Sequence, residues 1–227
     1  MTVSGKRNIF ILSVAAMLVV ASQSAFSQSS QSGRFTVEFT NDRIAPSHWV
    51  LTLNRDGSGH FHADPPKSTT PQKPTIEVNG EDRDIQLSKE FTAQIFTEAQ
   101  QHKWFNQKCE SGAKVAFQGW KKLSYSGPEG QGSCQFNYSQ DKQIQALGES
   151  LIGVAETLRE GARLELLLQH DRLGLDQEMQ YIYDSAKDGR LKEICAIKGI
   201  LQRLADDDEL LERVRKRAKT LLAQSGS

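Results

Sequence analysis

Two imidazoles and a carboxylate alternate in His60-Phe61-His62-Ala63-Asp64, and a third imidazole, His48, lies upstream. Residues two apart in a strand project from the same side of a sheet. Imidazole nitrogens and carboxylate oxygens are ligands for zinc or copper. His48, His60, His62 and Asp64 therefore form a candidate metal site, provided strand pairing brings them together.

The pairing can be read from the residues between them. Trp49 to Leu53 and Gly59 to Ala63 flank Asn54-Arg55-Asp56-Gly57-Ser58, the composition of a type I turn closed by a left-handed Gly. A loop of residues 55–57 sets Leu51 opposite Phe61 and Trp49 opposite Ala63. A one-residue slip would send half of this apolar set to solvent, so burial selects the bulged register. His60 then faces Thr52, His62 faces Val50 and His48 faces Asp64, which puts all three imidazoles and the carboxylate on one side.

The run also resembles the H-x-H-x-D signature of metallo-β-lactamase-like hydrolases, which implies a zinc-dependent hydrolase. It departs from that pattern at Pro65, where the signature has His, and by lying on a hairpin strand. Other chemistry is sparse. Ser150 sits in Gly148-Glu149-Ser150-Leu151-Ile152-Gly153, without the strand-to-helix elbow of a nucleophile. Gly127, Gly130 and Gly132 surround Pro128 as a hairpin turn, lacking the Lys and following helix of a phosphate loop. His102 and His170 fall at helix ends, where the dipole favours a cation. Trp120-Lys121-Lys122 combines an aromatic with two cations, a composition suited to an interaction anchor, although a bulge at Gly119 leaves the direction of Trp120 open and burial in the core is its commoner fate. No catalytic residue is assigned.

The N-terminus sets the compartment. Lys6 and Arg7 precede an apolar run from Ile9 to Val20, followed by small and polar residues to Ser27. This is the composition of an export leader, residues 1–27, with cleavage between Ser27 and Gln28. The run of about 12 residues is shorter than the roughly 20 that span a bilayer, so no stable membrane span is expected in the processed chain. Loss of Lys6 and Arg7 leaves 26 basic against 28 acidic side chains. That balance argues against general attraction to nucleic acid. The destination is the periplasm or the extracellular medium.

An oxidising compartment favours disulfides. Of Cys109, Cys134 and Cys195, the first two fall in a loop and a strand of the N-terminal half, and they are the expected pair. Closing a loop of roughly 25 residues is worth about 3 kcal/mol in the chain-entropy account. Cys195, among Ile194, Ala196 and Ile197, reads as a small buried hydrophobe within a helix.

The pattern of apolar residues changes near Ser139. Before it, Phe35, Val37 and Phe39 alternate as a strand, and the hairpin of residues 49–63 follows. Thr75 to Val78 is expected as a short return strand. Ser88 caps a helix reaching His102, with Phe91, Ile95, Phe96 and Ala99 at helical spacing. A second hairpin runs from Val115 and Phe117 through Leu123 and Tyr125, turns at Gly127-Pro128-Glu129-Gly130 and returns through Cys134, Phe136 and Tyr138. Gly119 breaks its phase, which suggests a bulge. After Ser139 helices are expected from Ile144 past Gly161 to Leu168, from Asp176 to Ala186, from Leu191 to Leu204 and from Asp208 to Leu222. The last carries acids at its start and Arg213, Arg215, Lys216, Arg217 and Lys219 later, matching the helix dipole.

Ile200-Leu201, Leu204, Asp207, Val214-Arg215, Ala218 and Leu221 resemble the turn and second helix of a HEAT-type repeat, which implies a small helical bundle. The stretch from Val115 to Gly127 resembles uncharacterised exported bacterial proteins, a family that brings no activity with it.

The expectation is an α+β protein: an antiparallel sheet of two hairpins with one packed helix at residues 28–139, followed by a C-terminal helical bundle at 140–227. Its function is read as non-catalytic binding of a protein or envelope partner, without a cofactor. The alternative is a metal-binding protein or metal-dependent hydrolase using zinc or copper at His48, His60, His62 and Asp64.

Overall fold

The computed structural model describes residues 1–2, 33–66 and 78–225. The expected leader, with its expected cleavage site at Ser27 and Gln28, lies outside the described residues apart from Met1 and Thr2. Everything that follows belongs to the unit Gln31–Ser227.

The strands are β1 (Arg34–Thr40), β2 (His48–Asn54), β3 (Ser58–Ala63), β4 (Glu81–Gln86), β5 (Trp120–Gly127) and β6 (Gly130–Phe136). The helices are α1 (Lys89–Gln101), α2 (Lys142–His170), α3 (Leu175–Lys187), α4 (Lys198–Asp206) and α5 (Glu212–Ser225). Among the described residues the strands form one antiparallel sheet in the order β4-β3-β2-β1-β5-β6. The fold is α+β, with the helices concentrated in the C-terminal half.

The β2–β3 hairpin adopts the bulged register. Leu51 pairs with Phe61, Trp49 with Ala63, Thr52 with His60 and Val50 with His62. Gly57 makes this register accessible: its φ of +83° is one that side chains with a Cβ avoid. Its N–H donates to Asn54 O at 3.1 Å, and Asp56 Oδ1 accepts from Ser58 N at 2.9 Å.

Alternation does the rest. Phe35, Val37, Phe39, Trp49, Leu51, Leu53, Phe61 and Leu123 point inward and are buried beneath Ile95, Phe96 and Ala99 of α1 and Ile144 to Leu158 of α2. Burying each such side chain contributes about 1.5–3 kcal/mol. The sheet is thus covered on this face by two helices rather than the one expected. Ser88 caps α1 as expected, its Oγ accepting from Phe91 N at 3.1 Å. Glu193 reinforces the cap by accepting from Ser88 N at 2.6 Å and Ser88 Oγ at 3.0 Å.

Farther along the same helix, Leu164 and Leu167 leave the sheet core and join a second cluster with Leu175, Met179 and Ile182 of α3 and with α4 and α5. Cys109 and Cys134 are bonded, their Cα atoms 5.6 Å apart, so the expected disulfide-distance pair is present.

Five expectations give way. The strand beside β3 is β4, Glu81–Gln86, and Val78, the described end of the expected Thr75 to Val78 strand, has no strand conformation. Val115 and Phe117 precede the hairpin as irregular, exposed chain, because β5 starts at Trp120. Gly119, with φ +110°, is a corner rather than a bulge; a Cβ there would strike the Phe39 ring. The helix expected from Leu191 begins as a 3-10 turn at Ile194, since Glu193 is left-handed at φ 56°. Cys195 lies in that turn, half-buried. Finally, α5 starts at Glu212, so Asp206 to Glu209 belong to the end of α4 and the link after it. Their charge is used sideways: Arg172 of the α2–α3 link pairs with Asp207 and, at 2.8 Å, with Glu209.

Candidate functional site

The side of the sheet away from α1 and α2 carries the predicted residues. On this outer face His48, His60, His62 and Asp64 form a line that crosses the strands instead of a cluster. Asp64 Oδ2 lies 3.2 Å from His48 Nδ1 and its Oδ1 lies 3.2 Å from His62 Nε2. His62 Nδ1 meets Asp82 Oδ2 at 2.9 Å, and Asp82 Oδ1 meets His60 Nε2 at 3.1 Å. His60 Nδ1 meets Asp84 Oδ1 at 3.0 Å. At the other end His48 Nε2 lies 3.4 Å from Glu38 Oε1, and Lys122 Nζ lies 3.3 Å from Glu38 Oε2. Base and acid alternate over the whole path from Lys122 through Glu38, His48, Asp64, His62, Asp82 and His60 to Asp84.

These contacts shift the titrations. The His60 imidazole is held above its usual value chiefly by its hydrogen bond to Asp84, and His62 chiefly by its bond to Asp82. The Asp82 carboxyl is lowered in turn, first by His62. Among the described residues no group of three or more His, Cys, Asp or Glu is gathered to hold a metal ion. The His60 and His62 ring nitrogens each face a carboxylate, which leaves no lone pair turned toward a shared centre.

Reading from sequence missed Asp82 and Asp84 because β4 has no apolar alternation. A signal was present in Asn79-Gly80, a turn dipeptide with Gly80 at φ +78°. After such a turn, Asp82, Asp84 and Gln86 alternate with Arg83, Ile85 and Leu87.

The three residues at the start of β5 separate cleanly. Trp120 is exposed and meets the Phe117 ring edge-on at 5.9 Å, while the Arg43 guanidinium lies 5.7 Å from the same ring. Lys122 is exposed in the charged line. Lys121 is inverted into the core, where Nζ donates to Asn137 O at 2.7 Å and Gly119 O at 3.3 Å, and burial lowers its pKa. No protein-family model and no curated protein matches the chain. What its groups can do follows from their geometry.

Other titratable groups are tied into the fold. His102 closes α1, with Nε2 3.3 Å from Glu98 and Nδ1 3.3 Å from Asp141. His170 is the last residue of α2, and Ser150 lies in the interior of that helix. At the turn end of the sheet Arg55 Nη2 donates to Glu129 Oε1 at 2.8 Å and to Tyr125 Oη at 3.3 Å, and Tyr125 donates to Glu129. Trp104 stacks on Tyr125 at 4.3 Å from a left-handed run, Lys103, Trp104 and Phe105, with φ 54°, 58° and 63°. This corner joins the two hairpin tips. Burial pushes the Cys195 thiol up to about 11, so it stays protonated and unreactive at neutral pH.

Between α2 and α3, Glu160 is pushed up to about 8, first by burial and then by its hydrogen bond to Glu178. Glu178 is engaged by Arg163 Nε at 2.6 Å, while Glu160 Oε2 is buried without a hydrogen-bond partner. On α5, Arg213 and Arg217 pair with Asp176 of α3 at 2.6 and 2.8 Å, so part of the basic run serves helix packing.

Proposed function

We propose that the chain is an exported, non-catalytic binding protein whose binding surface is the outer face of the sheet. The observation that carries this reading is sidedness. The inner face is filled by α1 and α2, whereas no described helix covers the outer one, which ends in Trp120 and Phe117 and presents Lys122, Glu38 and the histidine–carboxylate line. An exposed aromatic pair beside a polar field suits a protein or envelope partner. Export is supported by the leader-like composition of residues 1–27 and by a disulfide of the kind that oxidising compartments maintain.

The test is capture from the protein's own envelope extract by the leaderless chain and by its Trp120→Ala/Phe117→Ala variant. A component retained by the first and lost by the second supports the reading; equal retention by both, or none by either, refutes it. The N-terminal residue of the exported form is expected to be Gln28, and retention of Met1 would overturn the export proposal.

A further inference from the structure

We propose that the pairs formed by His60 and His62 with Asp82 and Asp84 are a proton-dependent latch that holds the edge strand β4 on the sheet. The starting point is composition. Glu81-Asp82-Arg83-Asp84-Ile85-Gln86 consists largely of residues depleted in strands, and Ile85 is its one apolar side chain. Among the described residues β4 is an edge strand, with ladder partners on one side. Cross-strand side-chain pairs must therefore supply part of what holds it.

Register puts those pairs in place, His60 directly opposite Asp84 and His62 directly opposite Asp82. Each ring uses Nδ1 for the residue opposite, at 3.0 and 2.9 Å, and Nε2 for a second carboxylate, Asp82 at 3.1 Å or Asp64 at 3.2 Å. A carboxylate only accepts, and a neutral imidazole has one N–H. The doubly protonated ring satisfies both contacts; the neutral ring turns a lone pair toward one of them.

The remaining charged neighbours surround these pairs, and Arg83 adds a separate tie from β4 to α2. On the outer side His48 shares Asp64, Glu38 lies between His48 and Lys122, and Arg34 lines the groove beside His60 and Asp84. On the inner side Glu81 pairs with Arg83 and is faced by Arg159 and Glu165 of α2, and Arg83 Nη2 donates to Leu158 O at 2.5 Å. Both imidazoles are held above their usual value, so the folded state binds the extra protons more tightly than the unfolded chain. The latch is closed below the unfolded-state value of about 6.5 and opens as pH rises through the raised folded values.

Hydrogen exchange of the full chain from pH 5.5 to 8.5, corrected for intrinsic base catalysis, reads the opening of β4 against that of β1 and β5. The opening constant of β4 is expected to rise between those limits by about two- to fivefold for each imidazole, the scale of exposed ion pairs, with β1 and β5 steady. In His60→Gln/His62→Gln the β4 ratio is expected to be flat across the range. A flat ratio in the unaltered protein, or the same rise in the double variant, overturns the latch. Should that variant fail to fold, Asp82→Asn/Asp84→Asn removes the partners from the β4 side. A persisting pH step there overturns the proposal equally, and its disappearance supports it.

Discussion

Replacing Glu160 by Gln is expected to stabilise the protein at alkaline pH and to leave it unchanged in acid. A carboxyl whose pKa moves from 4.5 to about 8 binds its proton more tightly in the folded state by up to about 5 kcal/mol, at roughly 1.4 kcal/mol per unit. Glu160 keeps some contact with water, and Glu178, to which it hydrogen-bonds, is itself engaged by Arg163. Part of the cost is thereby absorbed, leaving about 1–2 kcal/mol for the side chain itself. Because the folded value is raised, the folded state holds the proton longer, and stability falls as pH climbs from 4.5 towards 8. Gln has the shape of the protonated acid and does not titrate. Urea denaturation followed by helical circular dichroism should place Glu160→Gln about 1–2 kcal/mol above the parent at pH 9 and level with it at pH 4.5, with an unchanged denaturant slope. Glu81, Glu156, His60 and His62 titrate in both proteins and cancel in the difference. Equal stability of the two at pH 9, or equal stabilisation at both pH values, would refute the assignment of a buried protonated carboxyl.

Cys109→Ser/Cys134→Ser should lower stability by about 3 kcal/mol, seen as a lower urea midpoint, since the bridge closes a 25-residue separation. Gly119→Ala is expected to cost about 1–3 kcal/mol in the same assay, because it combines a φ of +110° with a Cβ driven into the Phe39 ring. Calorimetric titration with zinc and then copper at pH 7.5 should give no saturable heat, since the His60 and His62 ring nitrogens face carboxylates; stoichiometric binding lost in His48→Ala/His62→Ala would reinstate the metal reading.

What could be read from the sequence depended on where apolar residues repeat. Leu51 and Phe61 announced their own register, because any other would have exposed them. Ile144, Leu147, Leu151, Val154 and Leu158 announced α2, and Ser88 the start of α1. β4 carried no such pattern, as its pairing is ionic and needs a partner strand already in position. The charged line was half legible for the same reason: His48, His60, His62 and Asp64 were placed on one side correctly, while Asp82, Asp84, Glu38 and Lys122 entered through contacts between distant segments. Val115 and Phe117 alternate like a strand yet remain outside one, since Gly119 turns the chain immediately before β5. Lys121 was beyond local reasoning, because two carbonyl groups and a neighbouring ring make its burial tolerable.

Helix α2 runs without interruption for 29 residues, about 43 Å at 1.5 Å per residue. Its first half, as far as Leu158, is a wall of the sheet core, and its second half, from Leu164, is a wall of the helical core. Neither reservoir of buried surface can be emptied while the rod stays whole and the other stays full, since fraying at either end removes support next door. Heating the molecule should therefore produce a single calorimetric peak, in which sheet and helices are lost together.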